Sequence, residues 1–374
     1  MAIITDLMQT YDQSLSADIW VAEGIHNISP SDTPLQLLLP KVQVSETKAE
    51  WIEDELTAQK TALAEAISST QSTSLTVTTG DGADKFAPDV DVYNTIIRID
   101  QEYMLVTGVS GDVCTVVRGY GNTTASTHES GATVHIISQV EHEGANGKKA
   151  VARSRTRPSN YVQTFSRTVE VSGVQEAIKK LGGITSEIDY QVMQGMRQLA
   201  LELEKTLIMG VKAQIGNGST TYRTMGGLWA MISTNRTPDS GNIDTVSIED
   251  DIRKIWDNGG IPRVIITSGK MAQDISNLYA NRIQTDVLTT IGGFKITSII
   301  NPLGVGPIAI IPHRLIADGE YYMLDTEKVA LGYLRPFHMK PLATDGDSER
   351  RWIGGDYTLE LMNEKAHAYR YGLS

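Results

Sequence analysis

The hydrophobic pattern is clearest between residues 161 and 210, where it changes from one period to another. From Tyr161 to Val171 apolar and polar side chains alternate, which predicts a strand that ends at Ser172 and Gly173. Beyond Gly182 the apolar residues recur in steps of three and four positions, the spacing of one helical face. They are Ile188, Val192, Met196, Leu199, Leu203 and Leu207. We therefore predict a strand followed by a long helix as the centre of the fold.

Signals at both ends of the second pattern set the limits of this helix. Ser186 and Asp189 have the spacing of an N-terminal capping box, and Gly210 is a typical C-terminal stop. The predicted helix runs from Thr185 to about Met209. Its polar side consists of Glu187, Gln191, Gln194, Gln198, Glu202 and Lys205. An amphipathic helix of this kind packs one face against other elements and leaves the other face polar.

Two extended segments carry charges on one face. Residues 41–56 contain more acidic than basic side chains, whereas residues 148–158 are basic. In both segments the charges recur at every second position, as on one face of a strand. Antiparallel pairing would bring opposite charges together, each facing pair contributing about 0.2–1 kcal/mol, so we predict a long hairpin with these segments as its legs. A solvated charged ribbon explains the individual residues equally well, and nucleic-acid contact ranks lower because no aromatic residues are interleaved. The candidate contact residues, across strands or subunits, are Glu46, Glu50, Arg153, Arg155 and Arg157.

Residues 70–138, between the two legs, are dense in short β-like runs separated by Gly and Asp turns. The runs are Ser74–Thr78, Thr95–Ile99, Tyr103–Thr107, Val113–Val117 and Thr133–Ile137. This density predicts a small β-barrel or sandwich inserted at the tip of the hairpin, where insertions are well tolerated.

The rest of the chain predicts an arm and a mixed α/β region. Residues 1–35 have a short helical face that depends on a partner for stability. From residue 245 onward, helices and buried strands alternate, and extended segments return after Leu334. The elements predicted there are helices at Ser247–Trp256 and from Ser268 (with Met271, Ile275 and Leu278 on one face) and strands at Val264–Thr267, Phe294–Ile300, Ile308–Ile311, Tyr321–Leu324 and Tyr357–Met362.

Composition excludes several classes of protein. A chain of 374 residues exceeds one compact core and predicts two or three domains. The formal net charge of −12 argues against a protein that coats phosphate backbones. A single cysteine, Cys114, excludes an internal disulfide framework and fits a reducing cytoplasm. No apolar run is long enough to span a membrane, and we expect no signal peptide.

The search for catalytic and cofactor motifs gives no candidate. Cys114 lies within a predicted strand and is expected to be a core residue, and Gly144–Lys149 has the wrong spacing for a phosphate loop. The seven histidines show no ligand spacing, so each is expected to be an isolated core or surface residue. An acidic loop could hold calcium, but its spacing is not that of an EF-hand, so no metal is predicted. Its members are Asp81, Asp84, Asp89 and Asp91. We predict no catalytic residue, no cofactor and no enzymatic activity.

The order of the predicted elements, together with several short motifs, resembles the major capsid proteins of tailed bacteriophages. These proteins have the Hong Kong ninety-seven type fold, which encapsulin shells share. The motifs are most similar to the major head protein family typified by phage SU-ten. They are Asp32–Leu35 with Lys48–Trp51, then Asn160–Phe165, and finally Tyr333–Phe337 with Asn363–His367.

The resemblance implies an α+β capsid fold with an N-arm, an extended loop, a peripheral domain with a spine helix, and an axial domain. The loop would carry the small all-β insertion. The implied boundaries are 1–35 for the arm, 36–69 and 139–160 for the two legs of the loop, 70–138 for the insertion, 161–240 for the peripheral domain, 241–333 for the axial domain, and 334–374 for strands that return to the peripheral domain.

The resemblance also implies a function. The chain would be the major head protein of a tailed double-stranded DNA phage, forming pentamers and hexamers of an icosahedral shell in the host bacterial cytoplasm. Its partners would be other copies, a portal, and scaffold or decoration proteins, with no membrane and no sequence-specific DNA binding. Two alternatives remain open, an encapsulin-like nanocompartment shell and a phage tail or adhesin protein suggested by the β-rich insertion.

Overall fold

The chain folds into two compact units, one inserted in the other. The computed structural model describes residues 32–54, 60–86, 93–141, 143–144, 155–178, 185–217, 220–279, 283–284, 290–291, 294–295, 297–304 and 306–373. The larger unit comprises Met1–Trp51 and Arg157–Ser374, and the smaller unit is Ile52–Thr156. The larger unit is therefore discontinuous in sequence, and the chain leaves it and returns to it once.

A four-stranded sheet and a long helix form the first layer pair of the larger unit. Across this sheet the strands are ordered Lys41–Gln43, Val329–Leu342, Ser348–Leu361 and Gln163–Ser172. The first pairing is parallel and the other two are antiparallel. The strand predicted after Tyr161 is confirmed as Gln163–Ser172, and it pairs along its whole length with Ser348–Leu361.

The predicted long helix is confirmed as Glu187–Met209, with the Ser186 side chain accepting a hydrogen bond from the Asp189 amide. One predicted core position is wrong, because Met196 is exposed and Gly195 faces the sheet instead. A Cβ atom at Gly195 would lie 2.9 Å from Cδ1 of Ile353. The missing side chain thus lets the helix approach the sheet closely, which rotates the buried face toward Gly195.

A seven-stranded mixed sheet forms the second half of the larger unit. Its strand order is Arg236–Pro238, Ala368–Tyr371, Tyr321–Leu324, Val264–Thr267, Pro307–Pro312, Thr297–Ile300 and Ile283–Gln284. The central strand Val264–Thr267 is buried on both faces: Ile266 joins the core beneath the long helix, and Ile265 joins a second core. This second core is covered by the helices Thr245–Asp257 and Gly269–Leu278.

The caps of these two helices explain where they begin. The side chains of Asp244 and Ser268 accept hydrogen bonds from the amides three residues later. The first helix therefore starts two residues earlier than predicted. Of the apolar face predicted for the second helix, Met271 and Ile275 are buried, whereas Leu278 is exposed.

Short helices and two-stranded ribbons complete the two units. The short α-helices are Pro34–Leu38, Asp81–Lys85, Gly173–Ala177 and Leu228–Met231, and the 3₁₀ helices are Tyr120–Asn122, Thr326–Lys328 and Glu364–Ala366. Three two-stranded ribbons pair Lys48–Glu50 with Ser159–Tyr161, Ala213–Asn217 with Thr220–Thr224, and Thr290–Ile291 with Phe294–Lys295. Among the described helices none is long and apolar enough to cross a membrane.

The smaller unit is a six-stranded antiparallel sheet around its own core. Its strand order is Lys60–Ala62, Thr133–Glu141, Tyr93–Ile99, Glu102–Ser110, Val113–Val117 and Ser74–Thr76. Cys114 is fully buried in this core, as predicted. The compact unit extends beyond 70–138 in both directions: Lys60–Ala62 pairs with the start of Thr133–Glu141, and that strand continues past residue 138 to Glu141.

Candidate contact residues and buried polar centres

The two predicted hairpin legs meet over a short antiparallel stretch. Lys48–Glu50 pairs with Ser159–Tyr161, with Lys48 opposite Tyr161 and Glu50 opposite Ser159. Further along, Glu53 and Thr156 exchange both backbone hydrogen bonds, each with an N···O distance of 3.0 Å. The same register relates all these pairs, and it places Arg155 opposite Asp54.

This register decides which charges meet. Nε of Arg155 lies 3.3 Å from Oδ2 of Asp54, and both side chains are exposed. Glu50 forms an ion pair with Lys48 on its own strand. The hydrogen bond and charge of Lys48, with a smaller contribution from Arg157, hold the pKa of Glu50 below its usual value.

The other candidate contact residues lie apart from these pairs. Glu46 is exposed in a bend before the strand. Arg153 lies outside the described residues. The structure therefore brings Glu50 near Arg157 and gives Arg155 a different acidic neighbour, Asp54, which the sequence did not single out.

A buried asparagine attaches the second leg to the larger unit. Asn160 is fully buried, and its Nδ2 donates to the carbonyls of Gly226 and Leu359 at 2.9 and 2.8 Å. Its Oδ1 accepts from the amides of Gly226 and Tyr161 at 2.8 and 2.9 Å. All four bonds of the amide group are therefore satisfied, which fixes where the chain enters the four-stranded sheet.

A buried carboxylate on the long helix anchors the segment that follows residue 31. Glu204 accepts hydrogen bonds from the amides of Leu35 and Gln36, at 2.7 and 3.2 Å, and from the Gln36 side chain at 2.9 Å. The helix Pro34–Leu38 receives no side-chain cap from Thr33, so Glu204 provides it from another element. No pattern in the sequence predicted this role for Glu204.

A buried histidine completes this anchor. Nε2 of His313 lies 3.0 Å from Oε1 of Glu204, and the Leu315 amide donates to Nδ1 of His313 at 3.1 Å. Because Nδ1 accepts a hydrogen bond, Nε2 carries the proton and donates it to the carboxylate. Glu204 thus accepts hydrogen bonds from four donors that belong to two separate segments.

A second buried ionic centre joins the C-terminal strand to the helix Thr245–Asp257. Nε and Nη2 of Arg370 donate to both carboxylate oxygens of Asp251, each at 2.9 Å, and Nη1 donates to Asp239 at 2.8 Å. The Tyr321 hydroxyl donates to the same carboxylate at 2.7 Å. Burial of the phenol, together with the charge of Asp251, raises the pKa of Tyr321.

The smaller unit contains a third such centre. The Glu102 carboxylate accepts from Nε and Nη2 of Arg118 at 2.7 and 2.8 Å, and from the Ser126 and Gly119 amides at 2.9 and 3.1 Å. Nε2 of His128 lies 3.0 Å from this carboxylate. Burial alone would raise the pKa of Glu102, but these donors, Arg118 foremost, lower it to about 2. Glu102 therefore ties the long loop from Arg118 to His128 to the sheet.

The residues considered for chemistry have structural neighbours. Asp81 of the acidic loop forms an ion pair with Lys85 at 2.7 Å and accepts from Thr61 Oγ1. Asp89 and Asp91 lie outside the described residues. Burial raises the pKa of the Cys114 thiol to about 12, so the reactive thiolate is suppressed. Over the described part of the chain, no cluster of three His, Cys, Asp or Glu side chains is arranged to hold a metal ion.

Two solved structures share the architecture along nearly the whole chain. The holo-SrpI encapsulin complex from Synechococcus elongatus PCC 7942 matches with a TM-score of 0.52 and 9% identity, covering 98% of this chain and 96% of that one. A structure from Mycobacterium phage Adephagia matches with a TM-score of 0.50 and 9% identity, covering 97% of both chains. No curated protein sequence matches this chain.

The shared architecture defines the class: an α+β chain with the Hong Kong ninety-seven type fold of capsid and encapsulin shells. Within that class, the sequence profile of the SU10 major capsid protein family matches residues 5–374. The chain therefore belongs to the SU10 major capsid protein family. It is a structural component of a bacteriophage virion, and copies of it assemble into a shell.

Proposed function

We propose that the chain forms the hexamers and pentamers of an icosahedral head that encloses the double-stranded DNA of a tailed bacteriophage. The observation that carries this proposal is the family match over residues 5–374, supported by the fold. The protein acts as a building element and not as an enzyme. Assembly takes place in the host bacterial cytoplasm.

The charge of the chain bears on how the genome enters the shell. A net charge of −12 gives the subunit no means of condensing DNA by neutralising phosphates. We therefore propose a shell that forms first and is then filled through a portal, with no sequence-specific contact to DNA. Scaffold or decoration proteins are further partners in this proposal.

Electron microscopy of the purified protein tests the assembly directly. Closed particles with six-fold and five-fold capsomers are the expected result. A protein that stays monomeric at high concentration, and inside infected cells, would contradict the proposal. An encapsulin-like compartment is the second candidate, favoured by the Synechococcus match, and it predicts neighbouring genes for cargo enzymes instead of a terminase and a portal.

The proposed domain roles follow the same scheme. The hairpin of Lys48–Glu53 and Thr156–Tyr161 would be the root of an extended loop that contacts a neighbouring subunit. Residues 161–240 and 334–374 would form the peripheral domain, and residues 241–333 the axial domain. The smaller unit would project from the outer surface as an accessory domain.

Charge reversal tests the role of the basic leg. Changing Arg153, Arg155 and Arg157 together to Glu is expected to reduce the yield of closed particles. All three side chains would then carry the same charge as the acidic leg, in their own chain or in an adjacent subunit, and would be repelled by it. The matched control changes the same three residues to Lys and should assemble normally. Unchanged yield and heat stability in the Glu variant would refute the assigned role.

Deletion tests the accessory role of the smaller unit. Because Glu53 and Thr156 are directly paired, a short turn can replace the chain between them. A capsid subunit should still form shells after this change. A tail adhesin, the third candidate, would instead lose receptor binding and would form no closed particle either before or after deletion.

A further inference from the structure

We propose that the outward side of the sheet in the smaller unit binds an acidic polypeptide that is a different protein from this chain. This inference adds a binding role to the proposed shell function and does not depend on it. The surface concerned is the outer patch, which lies on three adjacent strands of that sheet. It consists of Ile96, Arg98, Tyr103, Leu105 and Val117.

The alternation of side chains along the strands explains why these residues point outward. In each of the three strands every second residue is buried in the core of the unit, as Ile97, Met104 and Val116 are. The residues between them point to the other side of the sheet. When that side faces water, the residues on it are ordinarily polar. Most members of the outer patch are not, and this departure from the usual pattern indicates a contact surface.

An apolar row crosses the three strands. Leu105 is the register partner of Ile96 on one neighbouring strand and of Val117 on the other. Register partners on one side of a sheet have Cβ atoms about 5 Å apart, so the row is continuous. Val117 is 51% exposed, and Ile96 and Leu105 are partly exposed. Contiguous apolar side chains on a surface are typical of a site that binds another protein.

Positive charge lies beside this row. Arg98 follows Ile96 by two positions, and its register partners are Tyr103 and His135. Nε of Arg98 donates to the Asp100 carbonyl at 2.8 Å, and the guanidinium forms no ion pair with a described carboxylate. None of the described outward residues of the three strands is acidic. The outer patch is therefore apolar and positively charged, in a chain whose net charge is −12.

The partner must be recognised through side chains, because the backbone groups of these strands are already paired. The strand Glu102–Ser110 has a neighbour on each side, and those two neighbours pair in turn with Thr133–Glu141 and Ser74–Thr76. An added strand therefore cannot extend the sheet at this position.

The chemistry of the outer patch decides between the possible occupants. A polypeptide that carries carboxylates beside aliphatic side chains matches both the guanidinium and the apolar row. Nucleic acid would leave the apolar row unmatched, because Tyr103 is the one ring of the patch on which a base could stack. A second copy would bring its own net charge of −12 against the rest of this chain, whereas a smaller acidic partner concentrates its carboxylates at the contact.

Selection from a random-peptide library tests the proposal on the full-length chain. The peptides enriched on the wild-type protein should combine Asp or Glu with aliphatic residues. The affinity of an enriched peptide, measured by fluorescence anisotropy, should fall by at least about tenfold in Arg98→Gln and in the double variant Leu105→Thr, Val117→Thr. The control Val211→Thr, Ile215→Thr removes two exposed aliphatic side chains from the larger unit and should leave the affinity unchanged.

All of these variants change outward side chains and should keep the melting temperature of the wild type. The proposal would be overturned if no peptide were enriched, if the enriched peptides lacked acidic residues, or if they bound the patch variants as tightly as the wild type.

Two further measurements distinguish the other occupants. The double variant Leu105→Thr, Val117→Thr should form particles with wild-type yield, and a loss of particles from folded subunits would overturn the proposal in favour of a contact between copies. Binding of a DNA oligonucleotide that is lost in Arg98→Gln but kept in the double variant would overturn it in favour of nucleic acid. A wild-type chain that forms no particle would contradict the proposed function, and the peptide measurements would still decide the role of the outer patch.

Discussion

His313 donates a hydrogen bond from Nε2 to Oε1 of Glu204 across 3.0 Å, and both side chains are buried. The same carboxylate accepts from the backbone of Leu35, so Glu204→Ala removes the acceptor of several buried donors at once. We expect the free energy of unfolding to fall by about 3 kcal/mol. Urea unfolding of dissociated subunits measures this change. The control Glu202→Ala, on the exposed side of the same helix, should change stability by less than about 0.5 kcal/mol.

The bidentate pair of Arg370 and Asp251 gives a second prediction. Arg370→Lys keeps the positive charge but cannot reach both oxygens of Asp251 and the Asp239 carboxylate together. We expect a loss of about 2–4 kcal/mol in the free energy of unfolding, because a buried carboxylate is left partly unpaired. Arg253→Lys, whose exposed side chain pairs with Asp250, should change stability by less than about 0.5 kcal/mol. Equal effects of the two variants would contradict this view of the cluster.

The pKa of Glu102 predicts how the smaller unit responds to acid. The folded value of about 2 lies below the ordinary value of 4.5, so the unfolded chain takes up the proton first as the pH falls. The stabilisation is fully present above about pH 4.5 and is lost as the pH falls toward 2, a total of about 3 kcal/mol. Protection of the Met104 and Cys114 amides, corrected for intrinsic exchange rates, should therefore decline over this range.

Two variants separate Glu102 from other acidic groups. Glu102→Gln should weaken the hydrogen-exchange protection of the Met104 and Cys114 amides at neutral pH. Between pH 4.5 and 2 the protection in this variant should change less with pH than in the wild type. The exposed Glu129→Gln should leave the wild-type profile unchanged. An unaltered acid profile in Glu102→Gln would show that another group controls the unit.

The close approach at Gly195 predicts a dependence on side-chain size. Gly195→Ala gains about 1 kcal/mol of helix propensity, and Cδ1 of Ile353, the nearest atom at 2.9 Å, is the movable end of a side chain. We expect this variant to be close to neutral. Gly195→Leu should lose about 1–3 kcal/mol by overpacking, and Ile353→Ala should recover part of that loss in the double variant. Urea unfolding of the wild type, Gly195→Leu, Ile353→Ala and their double variant completes a double-mutant cycle. If the two losses in the free energy of unfolding simply add, direct contact between the two positions is contradicted.

The sequence predicts well those elements that local patterns specify. The period of the apolar residues and the cap at Ser186 locate the long helix within two residues of its observed start. Met196 was misplaced because periodicity counts hydrophobic side chains, whereas the closest contact with the sheet is made where a side chain is missing. A glycine followed by an apolar residue in such a helix is the signal that could have shown the rotation.

The buried charged centres could not be predicted from the sequence. Glu204 and Leu35 are 169 positions apart, and Asp251 and Arg370 are 119 positions apart. A carboxylate is ordinarily a surface residue, and what makes it a buried anchor is a set of donors that only the folded chain assembles. The hairpin shows the same limit, since alternating charge predicts pairing but the register that joins Arg155 to Asp54 depends on the turn and the sheet.

The reciprocal hydrogen bonds between Glu53 and Thr156 have a consequence for how such shells diversify. They bring the two ends of a unit of about one hundred residues to adjacent positions, as the two ends of a tight turn would be. We therefore expect that a foreign domain whose termini lie close together can replace the chain between these two residues. Such a variant would carry the added domain once in every copy of the chain.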